Sequence, residues 1–409
     1  MNDNWKKNIS LFLTSQTLSL FGTMLVQYAI MWHIILETQS GTMMTVYILV
    51  GVLPTFFTSL LGGVWADRYN KKHLINLADG SIALISLVIA ISLSSGIDSI
   101  ILLMIAACVR ALGQGIQQPT VASLIPFIVP EEKLLKINGI NSSIQSGIFL
   151  ISPIASASLM SLTPLQALFF IDVVTASIAI VILYFFVKVK KTNVQTENVA
   201  ATSHFAELKS GLNYIKNQRY LLLLILLSAL FTIAVAPMGI MAPLQVTRNF
   251  GTELWRLSAI EIALAGGMML GGILVGIWCF RNKIYSIGVA LVAIGLLTIS
   301  FGLWSNFIPY LLCMALCGIP FPYFNAPSMT LLQEKVAPNY LGRVLSVYTM
   351  RESLALPFGM LLFGPLADII NINFIMIGTG IMMLFLGTLY FISKTLKTAV
   401  IKNSNENEL

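Results

Sequence analysis

Long apolar runs separated by short polar ones account for most of the chain. They lie near residues 9–36, 43–66, 74–95, 99–128, 138–161 and 165–187, and after a polar stretch near 220–246, 257–280, 284–304, 307–333, 344–366 and 373–393. A helix needs about 20 apolar residues to cross the bilayer core, and each run is long enough. The runs are continuous and do not alternate as barrel strands would, so they predict helices. The expected architecture is an all-α membrane protein with twelve transmembrane helices in two bundles of six. The first bundle covers 1–187, a central cytoplasmic loop 188–219, the second bundle 220–393 and a cytoplasmic tail 394–409. Lys6 and Lys7 precede the first run as they would in a secretory leader. That run is too long and lacks a small-x-small cleavage site, so it is expected to stay as the first helix.

Composition agrees. Of 409 residues 57% are apolar and only 10% charged, against roughly 25% charged in soluble domains. Such a chain cannot cover itself in water, which excludes a soluble enzyme, a nucleic-acid binder and a disordered protein. The net charge of +7 comes from 24 Lys and Arg. With both termini in the cytoplasm, 20 of these 24 fall in cytoplasmic segments, Arg248 and Arg256 fall outside, and Arg110 and Arg351 lie within spans. This is the positive-inside pattern, so the charge sets topology and implies no nucleic-acid partner. Cys108, Cys279, Cys313 and Cys317 sit in apolar runs without zinc spacing, and His33, His73 and His204 are far apart. No HExxH, GxSxG or Walker A motif occurs, so no metal, cofactor or enzymatic chemistry is expected.

The two halves echo each other. Gly63-Val-Trp-Ala-Asp67-Arg68 ends the second span and Gly276-Ile-Trp-Cys-Phe280-Arg281 the eighth. Pro119 and Pro130 bracket the end of the fourth span as Pro327 and Pro338 bracket the end of the tenth. A six-plus-six duplication with parallel halves follows, for which substrate sites lie near the midplane between the halves. In the central loop Phe205, Leu208, Leu212 and Ile215 recur at helical spacing, so His204–Asn217 is either an interfacial helix or a solvated linker.

Several spans carry polar stripes. Gln16, Ser19, Thr23 and Gln27 share one face of the first helix. Arg110, Gln114 and Gln117 follow i, i+4, i+7 on the fourth, and Asn138, Ser142, Gln145, Ser152 and Ser156 share a face of the fifth. Such faces turn to a cavity or to another helix. Gln16, Thr23, Gln27, Gln114, Gln117 and Gln145 are the cavity-lining candidates. Gly267, Gly271, Gly272 and Gly276 form a small-residue face for packing.

The loop after the second span reads Gly63-Val-Trp-Ala-Asp67-Arg68-Tyr-Asn70-Lys71-Lys72. It resembles the major facilitator superfamily pattern G-x-L-A-D-R-x-G-R-K. Gly63 is expected to allow close helix approach, Asp67 to cap the bundle end, and Arg68, Lys71 and Lys72 to hold the loop at anionic lipid. Together these five form a conformational gating motif. Asn70 replaces glycine and is expected to keep the turn by tolerating left-handed φ. Arg110-Ala-Leu-Gly113-Gln114-Gly115 and Ser152-Pro153-Ile-Ala-Ser156-Ala157 are degenerate forms of two further motifs of the superfamily, the second associated with exporters. Fragments 129–134, 151–153, 171–173 and 333–344 resemble the bacterial macrolide-efflux (Mef-type) branch. The resemblance implies a monomeric, proton-driven exporter of amphipathic drugs in a bacterial cytoplasmic membrane, with the drug, protons and membrane lipid as its partners.

A charge at the bilayer centre costs about 2.5–3.5 kcal/mol on insertion scales, so each embedded one needs a reason. Arg110 is the leading candidate for a functional cation, its structural alternative being a permanent ion pair. Asp172 and Glu352 are the deep carboxylates and the first candidates for proton coupling. Asp79 and Glu261 lie about a turn from helix ends, where they are expected to snorkel, and stand next in line. Export of a siderophore or lipid on the same fold is an alternative; a non-transporting membrane receptor would need no embedded charges.

Overall fold

In hydrocarbon each backbone N–H and C=O must be satisfied inside the protein, and helices do this within one segment. The computed structural model describes residues 4–188, 204–278, 280 and 282–396, with the backbone alone at 4, 67, 204–209, 338, 339 and 352. Among the described residues every regular element is helical, and twelve segments are long and apolar enough to cross a membrane. The first six are α1 (Asn4–Thr38), α2 (Gly41–Arg68), α3 (Lys71–Ser94), α4 (Ile100–Ile128), α5 (Leu134–Leu162) and α6 (Leu165–Val181), the last continued by a π-helical turn, Ile182–Phe186. Then comes a shorter helix, α7 (His204–Asn217). Next, α8 (Arg219–Ile240) and α9 (Ala242–Asn249) share one span, followed by α10 (Leu254–Ile277) and α11 (Lys283–Phe301). Finally, α12 (Phe307–Gly318) and α13 (Pro320–Lys335) share one span, followed by α14 (Pro338–Ile369) and α15 (Ile372–Ile392). The break between α12 and α13 falls where Pro320 enters at a first-turn position, the place a helix tolerates it.

The chain forms two compact units, Met1–Gln39 with Val46–Val194 and Glu253–Ser258, and Ser40–Thr45 with Gln195–Thr252 and Ala259–Leu409. Both use one packing scheme. In the first, α1 packs on α5 and α6, and α3 on α4 and α6. In the second, α8 packs on α14 and α15, and α11 on α12, α13 and α15. The duplication read from the sequence is therefore a duplication of contacts. It extends to the caps. Asn70 accepts from the N–H groups of Lys72 and His73 at the start of α3, and Asn282 from those of Ile284 and Tyr285 at the start of α11. This corrects the expectation for Asn70. Its φ is −65° with an extended ψ, so it serves as an N-cap with no left-handed turn.

Two glycine expectations are also refined. On α10 a Cβ at Gly267 would fall 2.0 Å from the Ala315 carbonyl oxygen, and one at Gly271 2.1 Å from that of Ile319. Gly272 and Gly276 face open space, so two of the four glycines set the helix approach. A Cβ at Gly63 would meet no side chain or neighbouring helix within 4 Å. Gly62 is the residue pressed against α4, where a Cβ would come 2.7 Å from the Gly115 oxygen.

The start of α2, Ser40–Thr45, belongs to the second unit. Asp368 at the end of α14 accepts from Ser40 Oγ (2.7 Å), Gly41 N (2.7 Å) and Thr42 N (2.9 Å), and pairs with Arg248 at 3.1 Å. A carboxylate here satisfies N–H groups that the first helical turn leaves open.

Helix α7 packs on α14 and α8, which resolves the choice left by its sequence. Tyr214 stacks on Tyr340 with ring centroids 4.5 Å apart and accepts from Ala337 N at 3.2 Å. Arg343 donates to Ser210 Oγ at 3.2 Å, and Ile215 is buried. Aromatic pairs are worth about 0.5–1.5 kcal/mol beyond their buried area. Tyr214→Ala is therefore expected to speed amide exchange in α7 by about tenfold relative to the spans, while Lys216→Ala leaves it unchanged. Hydrogen exchange with mass-spectrometric readout measures both.

Candidate functional site

The polar side chains of the first unit converge where α1, α3, α4 and α6 meet. On α3, Asp79 and Ser86 are seven residues apart, as are Arg110 and Gln117 on α4. Seven residues are about two turns, so each pair shares a helix face at two levels about 10 Å apart. Ser19 and Thr23 on α1 repeat this at one turn's spacing. The result is a ladder of two rungs.

In one rung Arg110 forms an ion pair with Asp172 of α6; the two side chains are 3% and 0% exposed. Arg110 also donates to Ser86 Oγ and, at 3.2 Å, to the Thr23 carbonyl. Ser86 Oγ in turn donates to Asp172 Oδ2 at 2.7 Å. Close approach of α1 depends on Gly22, where a Cβ would fall 2.2 Å from Thr175 Oγ1 and 2.8 Å from Asp172 Oδ1. In the other rung Asp79 is buried and accepts at Oδ1 from Ser19 Oγ (2.8 Å) and Gln117 Nε2 (2.5 Å). The snorkelling expected of Asp79 does not occur, because α1 and α4 enclose it and supply donors.

The other candidates are dispersed. Gln114 and Gln16 are half-buried, while Gln27 and Gln145 are exposed. Thr23 is buried, and its contribution to the ladder is a backbone carbonyl. The stripe on α5 divides: Asn138, Ser142 and Gln145 are exposed, whereas Ser156 is buried and donates to the Leu25 carbonyl at 3.1 Å. Glu261 on α10 is half-buried, and no hydrogen bond or ion pair joins it to another described residue. The side chains of Asp67 and Glu352 lie outside the described residues. Of the remaining loop residues, Lys71 Nζ donates to the Ala66 carbonyl, Lys72 Nζ to that of Val187 at 2.8 Å, and Arg68 is exposed.

Sequence reasoning missed Ser86 and Gly22. Ser86 had a signal, its place seven residues after Asp79; Gly22 had none, because its role depends on a partner helix far away in sequence. A groove of about 440 Å³ between α1 and α5 is lined by Ile9, Leu13, Thr14, Thr17, Ile137 and Ile144, among others, with none of the cavity-lining candidates on its wall.

The family model described as "Major Facilitator Superfamily" matches residues 9–360. Macrolide efflux protein A of Streptococcus pyogenes is 30% identical over 387 residues, covering 92% of this chain and 94% of that protein. The protein of that name from Enterococcus faecalis is 31% identical, over 76% of this chain and 97% of its own. The staphyloferrin A transporter of Staphylococcus aureus is 20% identical over 94% and 96%. Among solved structures, an inward-facing bacterial homologue of the human lysosomal transporter Spinster has the same fold, with a TM-score of 0.74 at 15% identity over 98% and 99% of the two chains. These likenesses mark a transporter and not an enzyme. A family model running through most of both six-helix halves, together with relatives alike almost end to end, shows that this chain belongs to the Major Facilitator Superfamily.

Proposed function

We propose that this protein exports amphipathic drugs, macrolides among them, from a bacterial cell by alternating access, using inward proton movement as the energy source. The observation that carries the proposal is the near full-length likeness to Macrolide efflux protein A. The buried ladder of Arg110, Asp172 and Asp79 supports it, since embedded ionisable groups mark ion and substrate pathways. Both termini face the cytoplasm, as the distribution of lysine and arginine requires. The two six-helix halves are the rocking bodies, and the loop from Gly63 to Lys72 is the gate, with Asp67 its charged member. Likeness to the staphyloferrin A transporter favours a second reading, export of a siderophore.

One charge crossing 100 mV supplies about 2.3 kcal/mol and one pH unit about 1.4 kcal/mol, enough for a tenfold or larger drug gradient per proton. In proteoliposomes an imposed pH gradient is expected to drive macrolide accumulation, a protonophore to stop it, and ATP to have no effect. Accumulation that survives the protonophore and needs ATP contradicts proton coupling. Siderophore uptake without any macrolide uptake in the same vesicles selects the second reading.

Breaking a buried ion pair by removing one partner costs about 3–5 kcal/mol, whereas replacing both partners with apolar residues is often neutral. Arg110→Ala and Asp172→Ala are each expected to lower the melting temperature of the purified protein sharply. The double variant Arg110→Met with Asp172→Leu is expected to recover most of it and to remain inactive in export. Calorimetry and vesicle assays on the same preparations test this. Asp67→Asn keeps the shape of the gate residue and removes its charge. It is expected to reach the membrane at wild-type levels and to slow export, and wild-type rates would exclude a gating role.

A further inference from the structure

The two rungs of the ladder differ electrically. In the upper one Asp172 has a guanidinium and a hydroxyl, Arg110 and Ser86, both on Oδ2, and its Oδ1 has no hydrogen-bond partner, so what separates the rungs is the cation. In the lower one Asp79 has two neutral donors, Ser19 and Gln117, both on Oδ1, and its Oδ2 has no hydrogen-bond partner. The charged and titratable groups that face Asp79 are few. Helix α6 presents Asp172, a second carboxylate, and α4 presents Arg110, already engaged by Asp172. Helix α1 presents Ser19 and no charge at this level. On α3 itself Lys72 and His73 lie in the first turn, about two turns before Asp79; there the Tyr184 ring of the π-helical turn after α6 packs against both, and Lys72 Nζ donates to the Val187 carbonyl.

A buried carboxylate with no cation of its own and a bare oxygen has a place for a proton at that oxygen. Bound at Oδ2, the proton removes the uncompensated charge and leaves Oδ1 free to keep both of its bonds. A hard cation would need a cage of oxygens; here Asp79 and Ser19 offer oxygens while Gln117 turns its amide nitrogen inward. Gln117, which donates to Asp79, is only half-buried.

We propose that Asp79, and not Asp172, takes up and gives back the coupling proton, while Asp172 remains the fixed counter-ion of Arg110. This rests on the proton-driven reading above. The step is an acid–base exchange: the Asp79 carboxylate gains a proton from water to form an O–H at Oδ2, and release returns that proton to water. No other bond changes. Gln117 and Ser19 act as positioning residues that hold Oδ1 and leave Oδ2 free.

Infrared difference spectra of the purified full-length protein, recorded between alkaline and acidic pH, detect protonated carboxyls without any drug. The wild type is expected to show a titrating carboxyl band that Asp79→Asn removes, Asp79→Glu restores and Asp172→Asn retains. Ser19→Ala, which keeps the acid and alters its hydrogen bonding, is expected to move the midpoint of that band by about one pH unit, and Ser86→Ala to leave it in place. In proteoliposomes Asp79→Asn is expected to lose about tenfold of the accumulation driven by one pH unit, and Asp79→Glu to restore it. A band that persists in Asp79→Asn, or that vanishes in Asp172→Asn alone, overturns the assignment. So does uptake driven by a sodium gradient at equal pH and lost in Asp79→Asn. If wild-type vesicles show no pH-driven macrolide accumulation, the export reading fails, and the infrared result still decides whether Asp79 is the proton site.

Discussion

An arginine in hydrocarbon has to meet a carboxylate, and in the first unit this meeting organises everything around it. Arg110 and Asp172 come from helices distant in sequence, and their side chains are buried almost completely. Desolvation of two charges is offset only when the geometry is good and the remaining donors are satisfied. The neighbouring residues follow from that demand. Ser86 is a hydroxyl because it bridges the pair, α1 turns a carbonyl toward the guanidinium, and Gly22 is a glycine because α1 must lie against Asp172. Leu25, Ala29 and Leu168 form a buried apolar cluster between α1 and α6.

The second unit repeats the packing scheme, and its described residues form no matching ladder. Its buried polar groups are satisfied in another way. Gln245 donates to the Phe301 carbonyl and to Asn373, and accepts from Tyr310. Its membrane arginine, Arg351, lies over the Tyr348 ring at 4.3 Å. Duplication thus preserved which helices touch, since small residues and apolar faces at the contacts set that. It did not preserve which groups carry charge. Packing and chemistry have separated between two halves of common design.

The spans and the duplication were legible in the sequence because bilayer thickness imposes a length and lipid imposes apolarity, and both act residue by residue. Arg110 and Asp172 stood out for the same reason, as expensive exceptions. Their partnership was not legible. It joins residues 62 positions apart, and helical periodicity says which face a residue is on without saying what the face meets. Asp79 shows the limit most clearly. One turn from a helix end, it looked able to reach water, but depth along one helix does not reveal enclosure by two others. Asn70 shows the same at short range. Its type fitted both a left-handed turn and an N-cap, and only the backbone angles separate them.

Both rungs depend on matching intervals of seven residues on α3 and α4. An added or missing residue between Asp79 and Ser86, or between Arg110 and Gln117, would rotate one member of each pair by about 100° and shift it by 1.5 Å. A substitution in this stretch alters one contact, whereas a change in length makes it impossible for one helix to serve both rungs at once. The stretches 79–86 and 110–117 therefore set a length that the ladder cannot do without.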